Sequence, residues 1–347
     1  MSFLKNVWYP FAWSEEVTGD LFSRTLLDEP IVAYRKQSGE AVALGDTCPH
    51  RFAPLHKGKL VDDCVQCPYH GLKFNDAGAC VHNPLGDGKI PGAAKVRKYQ
   101  LIERDTLLWI WMGKPEDADP SRLVDFGFLN NDAYAYTAGR VMTMPLRQDL
   151  MLDNLLDLTH AAYLHPTSLG IAAMAHGQMC VSQTGNTVLV QNLYPNGLPS
   201  NVFSATGACP ADQPVDYWVD VRWDAPACMY FDAGVTPAGR PRSEGSLLSS
   251  AQLLAPESEH KTHYFWRVYR NYMCDSAELT AAIEDAVTAV IATEDEPIIQ
   301  AVQGRMKGRD LWAMKPVLLS TDSGAVRVRR LLSQLADVEA KREASAR

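Results

Sequence analysis

The chain has 347 residues, of which 46% are hydrophobic and 21% charged, so it can fold into one large core or two domains. Its formal net charge is −8 and its densest basic stretch is RVRR at 327–330, which argues against a nucleic-acid partner. No stretch approaches about eighteen consecutive apolar residues, and the start MSFLKNVWYPFAW is too aromatic for a signal peptide. We therefore expect no membrane span and a cytoplasmic location, where eight cysteines are thiols or metal ligands rather than disulfides.

The first third of the sequence predicts a small all-β domain. Short strand-like stretches, broken by Gly, Asp, Asn or Pro, lie at 31–36, 41–46, 60–67, 72–78 and 106–113. The sequence then becomes polar and rich in turn residues over 113–127. We place a domain boundary there, which gives domains 1–118 and 119–347.

The remainder predicts a mixture of helices and strands. Leucines interleaved with acids give helical periodicity over 145–165, and residues 184–272 are rich in strand formers. A second long helix is predicted over 276–306, with a disturbance at Pro297, and a last helix over 325–344. The whole chain is therefore predicted to be α+β, with an all-β first domain.

Two pairs of metal-binding residues stand close together in the first domain. Cys48-x-His50 and Cys67-x-x-His70 supply two thiolates and two imidazoles. Zinc accepts this set tetrahedrally, and a Rieske [2Fe–2S] cluster accepts it with two Cys on one iron and two His on the other. Cys-x-His is an uncommon zinc spacing, and the segments CPHR and CPYHG resemble the Rieske signature.

The cluster loops also resemble one branch of the Rieske proteins more than another. Respiratory Rieske proteins carry an additional cysteine in each loop, whereas the first loop here continues as Arg51-Phe-Ala-Pro54 and Cys64 precedes the second pair. The loops therefore look like the oxygenase type. We interpret His56 and His82 as loop histidines and Cys64 and Cys80 as packed thiols.

A second constellation lies in the sequence NLLDLTHAAYLH, residues 154–165. Asn154, Asp157 and His160 recur every three residues, which predicts one helix face, and His165 stands just before Pro166, where a helix normally ends. Two imidazoles that converge there, with one carboxylate, would make a non-haem Fe(II) site with open positions. The acidic run 294–296 is the candidate source of the carboxylate.

Taken together, these motifs resemble the Rieske non-haem iron oxygenases of the vanillate O-demethylase type, a group that includes dicamba and toluenesulfonate methyl monooxygenases. The resemblance extends over almost the whole chain. It rests on the segments NVWYPFAW, CPHRFAPL, CPYHGLKF, GACVHNP, ERDTLLWIWMG, DNLLDLTHAAYLHPTSLG and ATEDEPII. It implies an N-terminal Rieske domain and a C-terminal helix-grip domain that holds the mononuclear iron.

The resemblance also assigns roles to particular residues. His160 and His165 match the iron-binding histidines, and Asp295 matches the third ligand, with Glu294 as its rival. Such enzymes form head-to-tail homotrimers, in which Asp157 would link a Rieske histidine of the neighbouring subunit to His160 through carboxylate–imidazole hydrogen bonds. Asn154 would lie close to the iron.

Finally, the resemblance implies a terminal oxygenase that uses O2 and single electrons from NAD(P)H, delivered by a separate flavin and [2Fe–2S] reductase. The expected substrate is a small aromatic acid, most simply a methoxybenzoate that is O-demethylated to a phenol and formaldehyde. Hydroxylation of an aryl methyl group, as in a toluenesulfonate, is the alternative. Tyr230 and Gln252 are expected to contact the substrate.

Two other classes of protein are alternatives to an oxygenase: a Rieske electron carrier and a zinc-binding structural protein. A carrier would need only the first third of the chain.

Overall fold

The computed structural model describes residues 3–345, which divide into two compact units. The first unit contains residues 3–125 together with Ala255–Ser258, and the second contains Phe126–Leu254 and residues 259–345. The division lies a few residues beyond the boundary predicted after residue 118. The stretch around it consists mainly of short 3₁₀ turns at Pro115–Asp117, Pro120–Arg122 and Gly127–Asn130.

The first unit is all-β, as predicted, and contains two antiparallel sheets. In chain order its strands are β1 (Trp8–Trp13), β2 (Phe22–Leu26), β3 (Glu29–Arg35), β4 (Ala41–Gly45), β5 (Lys59–Val61), β6 (Cys64–Gln66), β7 (Lys73–Phe74), β8 (Cys80–His82), β9 (Lys98–Arg104) and β10 (Leu107–Trp111). The larger sheet has the order β1-β10-β9-β4-β3-β2 and the smaller one the order β5-β6-β7-β8. Strands β1 and β10 are buried along their whole length, which explains their unbroken apolar sequences.

The predicted strand at 60–67 is instead a hairpin, formed by β5 and β6. Asp62 and Asp63 connect the two strands with φ angles of 50° and 58°. Two consecutive residues with positive φ make the tight turn that suits the right-handed twist of paired strands, and Asp tolerates this conformation better than most residues. The turn directs β6 toward Cys67, so the hairpin sets the start of the second cluster loop.

The second unit contains one large antiparallel sheet with helices packed against it. Its strands are β11 (Ala135–Tyr136), β12 (Arg140–Met144), β13 (Gln178–Thr184), β14 (Thr187–Gly197), β15 (Val215–Asp224), β16 (Cys228–Pro237), β17 (Ser246–Ser258) and β18 (Lys261–Arg270). They follow the order β11-β18-β17-β16-β15-β14-β13, and β12 pairs with β18. Its helices are α1 (Gln148–Leu156), α2 (Ala161–Leu164), α3 (Asn201–Ala205), α4 (Ala277–Val290), α5 (Glu296–Met306) and α6 (Ser323–Ser345). The predicted α+β class is therefore confirmed.

The single helix predicted over 145–165 is wrong, because α1 ends at Leu156. Asp157 has φ −118° and ψ 94°, an extended conformation that breaks the helix, and a 3₁₀ turn at Leu158–His160 leads into α2. The side chain of Asp157 accepts hydrogen bonds from the N–H and the hydroxyl of Thr159 and so caps this turn. Asn154, Asp157 and His160 therefore do not share one helix face.

The predicted helix over 276–306 is interrupted just before Pro297. Helix α4 passes into a π-helical turn at Ile291–Asp295, and α5 begins at Glu296 with the proline in its first turn. The proline lacks an N–H and is well tolerated at the start of a helix. The wide turn places Glu294 and Asp295 between the two helices, a common position for functional residues.

Among residues 3–345, no helix is both long and apolar enough to cross a membrane.

Candidate metal centres and substrate cavity

The two Cys-His pairs of the first unit lie on two loops of similar construction. In the first loop the N–H of Cys48 donates to the carbonyl of Ala53 at 2.9 Å and the N–H of Phe52 donates back to the carbonyl of Cys48. In the second loop Cys67 makes the same pair of bonds with Leu72 and Gly71. Phe52 and Gly71 hold equivalent positions and both have positive φ, 58° and 74°. Each loop is thus a closed turn that presents a thiol and an imidazole.

The loops bring all four side chains into one place. The imidazole rings of His50 and His70 are 4.4 Å apart between centroids. Cys48 and Cys67 are buried, whereas His50 is exposed and His70 is half-buried. Burial raises the pKa of the Cys48 thiol. The backbone N–H of His50 lowers this pKa, and the neighbouring Cys67 raises it further. Two buried thiolates need a positive centre between them. The imidazoles, one exposed and one half-buried, offer an edge for electron entry and exit, so the residues fit a Rieske cluster.

The second centre lies in the second unit, where His160, His165 and Asp295 converge. The Nε2 atoms of the two histidines are 3.2 Å apart, and Oδ1 of Asp295 lies 3.5 Å from His160 and 3.2 Å from His165. Ligand atoms about 2.0–2.2 Å from one metal ion lie roughly 2.8–3.6 Å apart in neighbouring octahedral or tetrahedral positions. The three atoms therefore fit around one ion, and two imidazoles with one carboxylate are the donor set of non-haem Fe(II) sites.

The break in the predicted helix explains how both histidines reach this point. The N–H of His165 donates to the carbonyl of Ala161, and the N–H of Gly170 donates to the carbonyl of His165. A Cβ at Gly170 would lie 2.0 Å from the carbonyl oxygen of Ala161, so only glycine allows the chain to return so closely. The imidazoles converge because His160 directly precedes α2 and His165 directly follows it, where the helix ends just before Pro166 as predicted.

Asp295, rather than its rival Glu294, faces the two Nε2 atoms. Glu294 binds the other side of His165, with its Oε2 accepting from Nδ1 at 2.6 Å and from the hydroxyl of Ser168 at 3.0 Å. The amide of Asn154 donates to Oδ1 of Asp295 at 3.0 Å. Both residues thus orient the three converging side chains, and Glu294 keeps a proton on Nδ1 so that Nε2 of His165 offers its lone pair.

The charges of these residues suit a cation. Burial opposes ionisation of Asp295, but the adjacent imidazoles of His160 and His165 and the amide of Asn154 outweigh it and hold its pKa well below the usual range. Burial likewise disfavours the charged form of His165, yet its contacts with Asp295 and Glu294 raise the pKa of the imidazole. The carboxylate is therefore ionised at neutral pH, as a metal ligand must be.

Replacing Glu294 by Ala tests the difference between the two acids. We expect mononuclear iron to bind about 10–100-fold more weakly while the [2Fe–2S] spectrum is unchanged, because His165 loses the partner that orients it. Iron titration of the protein measures this. Glu296→Ala is the matched control, since Glu296 contacts Gln300 on the same helix and none of the converging residues. Equal iron affinity in Glu294→Ala and wild type would show that Glu294 does not support the site.

Asp157 contacts His160 differently from the prediction. The Nδ1–H of His160 donates to the backbone carbonyl of Asp157, while the carboxylate of Asp157 accepts from the N–H of Thr159 at 3.0 Å and its hydroxyl at 2.6 Å. The predicted carboxylate–imidazole bond to His160 is thus a carbonyl–imidazole bond, because the extended backbone at Asp157 turns the carbonyl toward the ring. The carbonyl leaves Nε2 of His160 free to face Asp295.

A cavity of about 180 Å³ opens directly onto the converging residues. It lies between the sheet and α4, and most of its walls are apolar. These apolar residues are Leu155, Leu158, Ala161, Leu169, Met174, Val202, Phe203, Val219, Phe231, Ala233, Leu248, Val268, Val287, Val290 and Ile291. An apolar cavity of ~150 Å³ accommodates benzene, so this one is suited to a single substituted aromatic ring.

The two predicted substrate contacts lie on opposite faces of the sheet. Gln252 lines the cavity, opposite Met229 on the neighbouring strand. Tyr230 is the next residue after Met229, so it points to the other face, where its hydroxyl bonds that of Tyr269 at 2.6 Å and its ring packs on Phe128. Tyr230 is therefore not a cavity residue, and its expected role in substrate binding is corrected.

Sequence reasoning missed three polar residues of the cavity wall, namely Tyr217, Ser250 and Tyr264. Each lies on a strand in a stretch of alternating residues, and alternation alone does not tell which face meets the helices. Ser250 lies on the same strand as Gln252, Tyr264 lies on the neighbouring β18, and Tyr217 lies two strands away on β15, so their common face is recognised only from the order of the sheet.

Comparison with known proteins agrees with both centres. The Rieske [2Fe-2S] domain family matches residues 7–100, and the vanillate O-demethylase oxygenase C-terminal domain family matches residues 146–338. The dicamba O-demethylase oxygenase component of Stenotrophomonas maltophilia is 37% identical over 98% of this chain and 100% of its own length. The toluene-4-sulfonate monooxygenase subunit TsaM1 of Comamonas testosteroni is 36% identical, over 97% of this chain and 98% of its own.

Structural comparison gives the same result. A solved structure of dicamba monooxygenase bound to dicamba has a TM-score of 0.92 and 35% identity, covering 98% of this chain and 100% of that chain. The predicted Rieske domain is confirmed over the zinc alternative, and the second unit is the catalytic domain that the sequence predicted. The chain therefore belongs to the Rieske oxygenases whose catalytic domain is of the vanillate O-demethylase type.

Proposed function

We propose that the chain is the terminal oxygenase of a multicomponent system and oxidises a C–H bond of a small aromatic compound, most simply a methoxy group that leaves as formaldehyde. The observation that carries this proposal is that His160, His165 and Asp295 converge at the wall of an apolar cavity sized for one ring. A carrier of electrons alone needs neither the cavity nor the second centre. The predicted carrier alternative is therefore disfavoured.

One set of residues in this chain would bind the metals and another set would bind the substrate. Cys48, His50, Cys67 and His70 would hold the [2Fe–2S] cluster, and His160, His165 and Asp295 would hold the mononuclear iron. When bound, the two centres supply single electrons and O2 activation. The apolar wall of the cavity excludes water and holds the ring of the substrate next to the three ligands. Electrons come from a separate reductase, as in other oxygenase components of this family.

Hydroxylation of an aryl methyl group is the second candidate activity. It is favoured by the 36% identity to a subunit named for toluene-4-sulfonate monooxygenation, a value almost equal to that for the O-demethylase relative. Both reactions begin by oxidising a methyl C–H bond, so the same site residues serve either one. They differ in whether the oxidised carbon leaves as formaldehyde or remains as an alcohol.

Product analysis separates the two activities. The iron-loaded protein, with a reductase that reduces its Rieske cluster, is mixed with O2 and a panel of methoxy- and methyl-substituted aromatic compounds. We expect formaldehyde with an equal amount of the matching phenol. An aryl alcohol without formaldehyde would move the assignment to methyl hydroxylation, and the absence of any oxidised product across the panel would contradict the proposed function.

We also propose that the protein works as a head-to-tail homotrimer. A second cleft of about 320 Å³ lies next to Asp157 and His160, and its rim carries apolar side chains that are 88% exposed at Val317 and 46% at Leu318. The cluster loops of the first unit likewise expose Phe52 and Tyr69. Exposed apolar patches of this kind mark protein interfaces. Two different patches on one chain join copies head to tail, and three copies form a closed ring when each contact rotates the next copy by a third of a turn.

Asp157 is the residue that we propose to connect the subunits. Its half-buried carboxylate lines the second cleft, and its carbonyl holds His160. We expect Asp157→Asn to keep the iron and sulfide contents of the wild type while product formation slows by at least about tenfold, because a charged hydrogen-bond acceptor is lost. Rapid mixing of the reduced protein with substrate and O2 measures this rate. A normal rate would remove Asp157 from the electron path.

The trimer has its own test. Light scattering should give a mass of about three chains for the wild type. Val317→Asp should lower that mass and reduce product formation while both metal contents are kept, because a charge would replace an apolar contact at the rim. A monomeric wild type with full activity would contradict the trimer.

We place the protein in the cytoplasm, since all eight cysteines are free and thiols persist in a reducing compartment.

A further inference from the structure

The wall of the cavity carries a chain of neutral hydrogen-bonding groups. The hydroxyl of Tyr264 donates to the amide oxygen of Gln252, and the amide nitrogen of Gln252 donates to the hydroxyl of Ser250 at 2.8 Å. All three residues are at least nine-tenths buried. After these bonds are made, the second N–H of Gln252 and the O–H of Ser250 are still available as donors.

Tyr217 adds a third donor from the neighbouring part of the sheet. It lies on the cavity face of β15 with Val219, is 5% exposed, and packs against the rings of Tyr194 and Phe203. Within residues 3–345 its hydroxyl makes no hydrogen bond. The residue borders the cavity, so a ligand that accepts a hydrogen bond from its hydroxyl should bind more tightly than one that cannot.

Among residues 3–345, no cationic lysine or arginine side chain lines the cavity to receive an anionic substituent on the substrate. Apart from the metal-binding histidines, the ionisable groups among these lining residues are Asp295 and two tyrosines. The two charges of an Fe(II) ion are matched by Asp295 and by Glu294, which binds His165. A carboxylate or sulfonate in the apolar half of the cavity would therefore be buried without a counter-charge, which disfavours its binding.

We infer that the substrate of this enzyme is an uncharged aromatic compound whose polar substituent accepts hydrogen bonds from Tyr217, Gln252 and Ser250. This inference rests on the proposed oxygenase function and replaces the aromatic acid expected from the sequence with a neutral acceptor, such as an amide, ketone or ester. Tyr217 and Gln252 are the specificity-determining residues. The ring lies in the apolar cavity and presents its methoxy or methyl group to the three metal-binding side chains.

Matched pairs of ligands test the charge of the substituent directly. The holoenzyme is titrated calorimetrically at pH 7 in the absence of O2 with 2-, 3- and 4-methoxybenzamide and with the corresponding methoxybenzoates, which have nearly the same shape. We expect at least one amide to bind tenfold or more tightly than its acid. An acid that binds more tightly than its amide in every pair, or the failure of every amide to bind, would overturn the inference.

A pair of tyrosine variants tests the assigned donor. Tyr217→Phe removes only an unpartnered hydroxyl, so the fold is kept, and we expect the preferred amide to bind about threefold to tenfold more weakly. Tyr230→Phe is the control, because it removes a hydroxyl on the opposite face of the sheet, and the affinity should not change. Unchanged affinity in Tyr217→Phe, or an equal loss in both variants, would overturn the role of Tyr217.

These measurements are independent of turnover. If an amide binds as expected but yields no oxidised product when O2 and electrons are supplied, the proposed oxygenation fails and the binding preference stands. If an acid binds preferentially and is converted, the oxygenase function stands and the inference of a neutral substrate fails.

Discussion

Replacing His160 by Ala is expected to abolish product formation while the visible spectrum of the Rieske cluster stays that of the wild type. His160 supplies one of three converging ligand atoms, and two remaining ligands hold a metal ion far less well. Loss of a partner behind a metal ligand typically costs about 10–100-fold, so loss of the ligand itself should exceed that. Product formation and the absorption spectrum of the same preparation measure both effects.

The control for this variant is another histidine of the same unit. His260 is exposed in the turn between β17 and β18, far along the chain from the converging side chains. His260→Ala should therefore retain wild-type product formation. If His160→Ala retained activity close to that of His260→Ala, the mononuclear site would be wrongly placed.

Replacing Cys67 by Ser is expected to remove the [2Fe–2S] cluster and to lower the melting temperature of the protein. Cys67 is 2% exposed and packs in the core cluster of the first unit together with Cys48, Val65 and Phe74. The cluster links two loops, so its binding free energy contributes to the folding of that unit. The serine also buries a hydroxyl in an apolar environment. Absorbance, sulfide content and thermal denaturation measure the outcome.

Cys64→Ser gives the matched comparison within the same hairpin. The Cys64 thiol is half-buried and lies among the charges of Asp62, Asp63 and Lys73. We expect this variant to keep its colour and to lose little stability. A coloured Cys67→Ser protein with the stability of Cys64→Ser would show that Cys67 does not bind the cluster.

The first metal centre could be predicted from the sequence almost completely, because its information is local. Each Cys-His pair lies within four residues, and each loop is closed by hydrogen bonds between residues at most five apart. The spacing therefore determines the geometry. The all-β character of the first unit follows from turn residues in the same way, although the sequence predicts one strand where the structure has the hairpin at Asp62 and Asp63.

The second centre could be predicted only in part. Its histidines are close in sequence, but the periodicity of 145–165 predicted one helix, and the extended backbone at Asp157 overrides that periodicity. The choice between Glu294 and Asp295 depends on a π-helical turn, in which residues do not follow the usual 3.6-residue period. A shift of one residue along the chain would exchange Glu294 and Asp295, and only the folded structure shows which of the two faces the histidines.

The cavity was the least predictable part, since it depends on which face of each strand meets the helices. Tyr230 and Gln252 are both on strands that cross the cavity, yet only Gln252 points into it. A shift of one residue exchanges the two faces of a strand. The neutral donors around Tyr217 come from different strands, so no stretch of sequence indicates that they act together.

The central claim is that one chain holds two different iron centres, and metal analysis tests it most directly because it requires no substrate. Iron, zinc and acid-labile sulfide are measured per chain in the wild type and in His160→Ala. We predict about three irons and two sulfides in the wild type, and about two irons with unchanged sulfide in the variant. Two irons per chain in both proteins, or zinc in place of iron, would contradict the two-centre oxygenase.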